Sequence, residues 1–481
     1  MTAWVGIDIG TTNIKAIAIN ENGHLLAQSS GACMTYHPRP NQVEQNPDEI
    51  YRLFVEVLRQ IVQQLQPLSV SIEAISLCSA MHSVIPLDAQ NRRLARAWLW
   101  ADNRSQAQAD TLKNTSYFPK IYAQTGIPAH PYAPSTKMQW CREQQPKVFA
   151  KTARFVSQKE FIWYRLFGQF EIDFSMASGT GLLHHQKRRW SAAALELAGV
   201  SEDYLSEIVP TYHIQKLTNQ RLCTYLGLPQ GTPFVIGGGD ACLANLGSGA
   251  LEKGITTLTI GTSGAVRQTT TTPTKDQRLF TYILDDEYYV SGGPTNNGGN
   301  VLEWLSKHLL LKDTAELLAI AEKAPAGAKG LIFVPYLLGE RAPFWNAQLT
   351  ARYLNLTWQH QQSDLIRATI EGVLLHLNQI RNLLEQQIAP TQIIHANGGF
   401  AQSKFWVQLL ADIFGVNVRV NESNESSCLG AILLAMKSLG YISSLQEGVQ
   451  KYVSYTDTYQ PNPATKSLYR KLNGDFQRVL L

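Results

Sequence analysis

The stretch Val5-Gly6-Ile7-Asp8-Ile9-Gly10-Thr11-Thr12-Asn13-Ile14-Lys15 constrains the fold of this chain more than any other. Its apolar, β-branched run of Val5, Ile7 and Ile9 predicts a buried strand, and Ile14 to Ile19 predicts a second strand after a short turn. One carboxylate, Asp8, interrupts the first strand. A buried, unpaired carboxylate is costly, so a strand that keeps one needs a cation for it to face. Gly10-Thr11-Thr12 supplies backbone N–H groups, hydroxyls and little bulk, which suits phosphate oxygens. The stretch reads as a hairpin for nucleotide phosphates with Asp8 on hydrated Mg²⁺. An Asp that only ties a turn is the competing reading.

A second copy of the device lies at Thr256–Val266, where Ile260-Gly261-Thr262-Ser263 stands as Ile9-Gly10-Thr11-Thr12 stood. Thr259 replaces Asp8, so each half would grip phosphate while the first alone carries the metal carboxylate. This weak internal repeat predicts a duplicated pair of domains with the nucleotide between them. A chain of 481 residues also exceeds what one core usually serves. The expected division is 1–246 and 247–481.

Composition excludes several classes. A net charge of +4 with no Lys/Arg run makes no electrostatic case for nucleic acid. Six cysteines, at 33, 78, 141, 223, 242 and 428, form no C-x-x-C pair, which argues for reduced thiols in a cytosolic protein and against a disulfide framework or zinc site. No apolar run is long enough for a membrane span, and no leader pattern opens the chain. Small molecules are the expected partners, with neither nucleic acid nor membrane. The oligomeric state stays open, a homodimer being one arrangement the sequence allows.

Other motifs fall at predicted strand ends, where α/β sheets bind ligands. Phe234–Ile236 runs into Gly237-Gly238-Gly239-Asp240. The glycines would let backbone approach a ligand, and Asp240 could accept the proton of an attacking hydroxyl. A Gly-rich linker with an Asx turn is the alternative. Ser79-Ala80-Met81-His82-Ser83 follows a strand at Ala74–Cys78. Trp98-Leu99-Trp100-Ala101-Asp102-Asn103-Arg104 combines aromatic plates with fixed polar groups, as sugar sites do. A Trp-rich core edge with a helix cap would look the same. Ile393–Asn397 runs into Gly398-Gly399, a turn able to lie flat against a purine or ribose, or an ordinary strand–helix turn. Helices are expected at Asp48–Leu65, from Pro134, at Phe155–Phe167, from about Asn300 to Leu310, and from a cap near Ser363, where Gly372 would permit close approach.

The chain lacks Gly-x-x-x-x-Gly-Lys-Ser/Thr, the protein-kinase loop set and a helix-opening Gly-x-Gly-x-x-Gly. Phosphate handling therefore rests on the two hairpins and the Gly-rich turns. From about Trp4 to about Gly440 the chain resembles the FGGY family of carbohydrate kinases. The likeness rests on Gly6–Lys15, Lys137-x-x-Trp140, Gly237–Asp240, Gly261–Gly264, Glu340–Pro343 through Glu371-Gly372, and Gly398-Gly399. It implies an α/β fold of two duplicated actin-like (ribonuclease H-like) ATPase domains with a nucleotide/sugar cleft between them. By that likeness Asp8 and Asp240 belong to the Mg site. Gly10, Thr11, Thr12, Lys15, Gly261, Thr262 and Ser263 grip the phosphates of ATP, Gly398 and Gly399 meet the adenosine, and Asp240 is the catalytic base. Two departures are visible: Cys141 where an aliphatic residue is usual, and Tyr353-Leu354-Asn355-Leu356 without the usual glycine.

Within the family, Ser79–Ser83 and Trp100–Ser105 look most like the gluconate-phosphorylating branch, and xylulose kinases come next. The sugar site implied is Met81, His82, Trp100, Asp102 and Arg104. Arg104, or a protonated His82, would bind the carboxylate of a sugar acid, the guanidinium bidentately. A salt bridge from Arg104 to a neighbouring acid is the competing reading. Whether Glu340-Arg341 contacts the nucleotide or braces its loop is undecided at this level. A non-catalytic ATP-binding chaperone or sensor would keep the hairpins but need neither the sugar cluster nor Asp240.

Overall fold

The computed structural model describes residues 2–423 and 425–480. Two mixed sheets form, each around one of the two glycine hairpins. In the first, β1 (Thr2–Ile9), β2 (Asn13–Asn20) and β3 (Leu25–Ala32) make an antiparallel meander, and β4 (Ser71–Ser79) lies parallel beside β1. With β5 (Ile214–Leu217) and β6 (Thr232–Gly239) the order is β5-β6-β4-β1-β2-β3. The second sheet holds β7 (Ile255–Ile260), β8 (Gly264–Thr270), β9 (Phe280–Ile283), β10 (Tyr289–Thr295), β11 (Ile393–Asn397), β12 (Asn417–Asn421) and β13 (Tyr455–Tyr459), ordered β9-β10-β8-β7-β11-β12-β13.

The same nucleus recurs in both. A hairpin gains a third antiparallel strand on one side, β3 or β10, and two parallel strands on the other, β4 and β6 or β11 and β12. Register makes the repeat explicit. Ile9 faces Ile14 at the first turn and Ile260 faces Gly264 at the second. One step back, Asp8 faces Lys15 and Thr259 faces Ala265, so Thr259 occupies the register position of Asp8.

Helix α1 (Pro47–Leu65) starts one residue before the expected Asp48. The Asn46 side chain accepts from the Asp48 amide, proline takes the first turn, and Ile50, Phe54, Leu58 and Ile61 go into the core. α2 (Pro134–Gln144) forms where expected. The segment Phe155–Phe167 divides: Arg154–Val156 is a strand, and α3 (Gln158–Phe167) begins after a capping box between Ser157 and Glu160. The β-branched and aromatic pair before Ser157 won over helical continuation. Beyond Gly299–Trp304 the expected helix continues as a π-helical turn to Leu310.

Helix α4 (Asp240–Gly247) belongs to the first half. α5 (Gln362–Gln387) is capped by Gln361, two residues ahead of the expected Ser363. Gly372 does allow a close approach there, since a Cβ would fall 2.2 Å from the Phe333 carbonyl oxygen. Asn355, in the segment without the usual glycine, adopts φ +63°, a left-handed conformation that asparagine tolerates. The other departure, Cys141, is buried within the core on α2.

α6 (Lys404–Phe414) is capped by Ser403, and α7 (Ser426–Ser438) packs on β1 and β4, so it ties the second half of the chain to the first sheet. That junction is made backbone to backbone. A Cβ on Gly430 would sit 2.0 Å from the Leu243 oxygen, and one on Gly247 1.9 Å from the Ser426 oxygen. Among the described residues, no helix is long and apolar enough to cross a membrane.

Candidate active site

Strand β6 ends at Gly239 and Asp240 opens α4, so its carboxylate stands at a strand's C-terminal end. The three glycines before it serve packing, where the sequence suggested close approach to a ligand. A Cβ on Gly237 would meet the Leu77 oxygen at 1.8 Å, and one on Gly239 would meet the Met81 side chain at 2.6 Å. They let β6 press against β4 and carry Asp240 up beside Met81. Asp240 Oδ1 accepts from the Ala241 amide at 2.7 Å. Burial raises the Asp240 pKa, and the positive charge of Arg267 with the Ala241 and Met81 amides pulls it partly back.

Asp240 faces a cavity of about 320 Å³ between the two halves. The first half lines it with Thr11, Met81, His82, Trp100 and Tyr132. The second contributes the hairpin Gly261–Ala265, Thr259, Arg267, Phe280, Tyr282 and Arg341. A larger cavity of about 870 Å³ lies on the other side of the same hairpin, bounded by Asn300, Leu318, Gly399, Phe400 and Phe405. Gly261 and Thr262 belong to both. Backbone bonds from Gly299 to Gly261 (2.8 Å) and from Asn300 to Thr262 (3.1 Å) hold the hairpin that separates them. Gly398, at φ +98°, turns the chain where a Cβ would lie 2.4 Å from the Ile260 oxygen.

Asp8 lies on β1, close enough to Asp240 to feel its charge. Its Oδ1 is buried and has no partner among the described residues. Burial, then the nearby negative charge of Asp240, raises its pKa to about 7. Two carboxylates that repel one another, one with an orphaned oxygen, fit a cation. Among the described residues no cluster of three or more metal-ligating side chains exists. A hydrated Mg²⁺, which needs only one or two carboxylates besides water and phosphate, suits that donor set. Gly10 and the exposed Thr12 share the first hairpin with Thr11, which alone of the three reaches the sugar-sized cavity.

His82 adopts φ +70°, held by two contacts. Nδ1 lies 2.9 Å from the Gly179 carbonyl and Nε2 3.1 Å from the Tyr282 hydroxyl. Burial, then the charges of Lys137 and Arg341, depresses its pKa to about 3. Burial and these two charges disfavour the protonated His82 expected as a carboxylate ligand.

Asp102 and Arg104 are also not brought to the cavity. The Arg104 side chain is 5% exposed, with Nε 2.7 Å from Asp102 Oδ1 and Nη2 2.6 Å from Glu44 Oε1. It lies 5.0 Å from the rings of Trp98 and Trp140. Asp102 in turn accepts from the Val43 amide. The cluster is a buried ion network at a Trp-rich edge. Lys15 also turns away from both cavities, its ammonium 2.8 Å from Glu425 Oε1.

Glu340 braces its loop. Its carboxylate accepts from Thr295 Oγ1 (2.6 Å), the Asn296 amide (2.9 Å) and Asn297 Nδ2 (3.0 Å). Arg341 instead enters the sugar-sized cavity, over the Trp100 ring at 5.2 Å. Arg267, Tyr132 and Tyr282 escaped sequence reasoning. The one available signal was a charged side chain interrupting the apolar strand Ala265–Val266 beyond the second hairpin, the same logic that drew attention to Asp8.

Comparison with known proteins agrees with this architecture. Models of the FGGY family of carbohydrate kinases match residues 3–247 (N-terminal domain) and 256–439 (C-terminal domain). The chain belongs to this family and is a two-domain sugar kinase. The gluconokinase of Bacillus licheniformis is 39% identical over 98% of this chain and 94% of its own length. The ligand-bound xylulose kinase of Lactobacillus acidophilus superposes with a TM-score of 0.95 at 32% identity, covering 100% of this chain and 98% of that one. The gluconate kinase of the same organism gives 0.94 at 32%, covering 99% and 97%.

Proposed function

We propose that this kinase transfers the γ-phosphoryl group of ATP to the terminal hydroxyl of D-gluconate, giving 6-phospho-D-gluconate. The observation that carries the reading is the shared hairpin: Gly261 and Thr262 wall both the cavity that holds Asp240 and the larger cavity beyond. A hydroxyl resting on Asp240 and a nucleotide lying against Gly399 would meet at Thr262 and Ser263. Phosphoryl transfer is mostly positioning and charge neutralisation, so a cleft of this kind suffices. Asp240 orients the hydroxyl and takes its proton late in the transfer. Thr11, Thr262 and Ser263, with the backbone of Gly10 and Gly261, receive phosphate oxygens, and Gly398-Gly399 flanks the adenosine. Asp8 and Asp240 would hold a hydrated Mg²⁺, which supplies charge neutralisation at the phosphates.

Gluconate is favoured by the greater identity to a gluconokinase, and six unpaired cysteines suit a reducing cytoplasm. Phosphorylation of a neutral ketose such as xylulose is the second reading, supported by a structural likeness to a xylulose kinase, TM-score 0.95, slightly above the 0.94 to a gluconate kinase. Coupled ADP release with Mg·ATP across D-gluconate, D-xylulose, L-ribulose, glycerol and no sugar tests both. A gluconate-dependent signal is expected. A signal with xylulose alone would replace gluconate and leave Asp8 and Asp240 in their roles.

A further inference from the structure

We infer that Arg267 and Arg341 form a carboxylate-binding subsite in the sugar cavity, and that this pair selects sugar acids over neutral polyols. The inference rests on the kinase reading of the same cavity and names its substrate class from different atoms.

Both guanidiniums come from the second half of the chain, opposite Asp240, and both line the cavity. Arg267 follows Ala265 on one face of β8. Gly292 stands directly across from Arg267 on β10, and a Cβ there would lie 2.9 Å from Arg267 Cγ. Bare backbone at that position makes room for the arginine stem. Little holds the head groups in the protein itself. Arg267 Nη1 reaches Thr259 Oγ1 at a long 3.4 Å, and Arg341 Nη2 donates to the Thr295 carbonyl at 2.7 Å. Among the described residues the Nε atoms of both are buried and without a partner.

A guanidinium carries five donors in a planar fork, and leaving buried donors unfilled is costly. A carboxylate is the group whose geometry fills such a fork. Charge points the same way. Burial lowers the pKa of each arginine, and Arg267 acts against Arg341 as a like charge. Asp240 is the acid among the cavity-lining residues, and His82 is neutral, so two cations face one anion. A monoanionic substrate balances that surplus and a neutral polyol does not. Arg104, by contrast, has its guanidinium committed to Asp102 and Glu44.

The test compares D-gluconate with D-glucitol, which has a hydroxymethyl group where gluconate has its carboxylate. The wild-type enzyme is expected to prefer the acid. In R267M and R341M the ratio of kcat/KM for gluconate to that for glucitol falls by about 10²-fold, through the gluconate KM. R267K recovers part of the loss. Calorimetric titration of D-gluconate into each nucleotide-free variant, with melting curves to establish folding, reads the same loss without turnover. An unchanged ratio, or a rise confined to the KM for ATP, would assign the guanidiniums to phosphate and overturn the inference, as would a wild-type preference for neutral sugars. A wild-type enzyme that turns over another sugar acid but not gluconate would overturn the gluconate assignment and leave this subsite standing.

Discussion

The Tyr282 hydroxyl lies 3.1 Å from Nε2 of His82, joining the second half of the chain to the first across the cavity. Because Nδ1 of the same ring faces the Gly179 carbonyl, Nδ1 carries the proton and donates, and Nε2 accepts from the phenol. His82 is therefore a neutral, oriented wall of the cavity that holds Asp240. Its ¹⁵N resonances are expected to hold the Nδ1–H tautomer from pH 8 down to pH 5. A titration step near the ordinary histidine value would contradict the assignment.

Buried neutral histidines also give the stability a sign with pH. The pKa of His82 and of His185 is pushed down to about 3 and that of His395 to about 4, in each case chiefly by burial. The unfolded chain binds these protons first, near pH 6.5, so stability is full above that value and is lost as pH falls toward 4. Each site contributes a slope of up to about 1.4 kcal/mol per pH unit in that window. Asp8, pushed up to about 7, works the other way over the same window, so the histidine contribution is read as a difference: between pH 7 and pH 5 the urea midpoint of His185→Phe should fall less, or rise more, than that of the wild type.

Asp240→Asn keeps the shape of the side chain and removes the carboxylate that we propose as the base. Turnover should drop by roughly 10²–10⁴-fold while the enzyme still binds ATP, measured by titration of the nucleotide. Turnover within a few-fold of wild type would take Asp240 out of the proton-transfer role.

Arg104→Leu should unsettle the fold and leave substrate choice alone. Removing the guanidinium strands the buried Asp102 without its ion pair and leaves Glu44 only the longer 3.9 Å pair with Arg96, at a cost of about 3–5 kcal/mol. The gluconate-to-glucitol preference of the surviving folded enzyme is expected to match wild type. A changed preference would return Arg104 to the substrate site.

At the junction of the two halves, Gly430→Ala places a methyl group 2.0 Å from the Leu243 oxygen in the native packing. Helices α4 and α7 must then separate, with a loss on the order of 1–3 kcal/mol. Chemical denaturation reads the loss, and Gly440→Ala, which would meet no neighbour within 4 Å, reports the strain of a positive φ alone.

How much of this was legible in the sequence differs from one residue to the next. The hairpins were, because a charge inside a β-branched run followed by Gly-Thr is a local signal, and so was Asp240 at a strand end. For Arg104 the sequence leaves a sugar contact and a salt bridge open, and the structure has the salt bridge, because adjacency to Trp98 and Trp100 says nothing about which way a guanidinium points. Its partner Glu44 lies sixty residues upstream. Arg267 was hidden for the same reason in reverse. Its surroundings, Thr259, Gly292, Asp240 and Arg341, are brought together by the second sheet and the domain junction, and the local mark is a single charge after the apolar pair Ala265-Val266. The glycines at 237–239 were recognised as close-approach positions, but their neighbours are Leu77 and Met81, which only strand pairing could reveal.

Thr259 stands where its counterpart in the first hairpin is an acid, and among the described residues its hydroxyl is the one side-chain hydrogen-bond partner of Arg267. An aspartate at 259 would close on that guanidinium and silence it. The two similar cradles thus carry opposite electrical characters: the first holds the acid we assign to a metal ion, and the second, with a threonine in its place, leaves an arginine at liberty to greet an acidic guest. A single exchange, Thr259→Asp, would ask the molecule to make its two halves alike again, and the specificity of the cleft would be what it gives up.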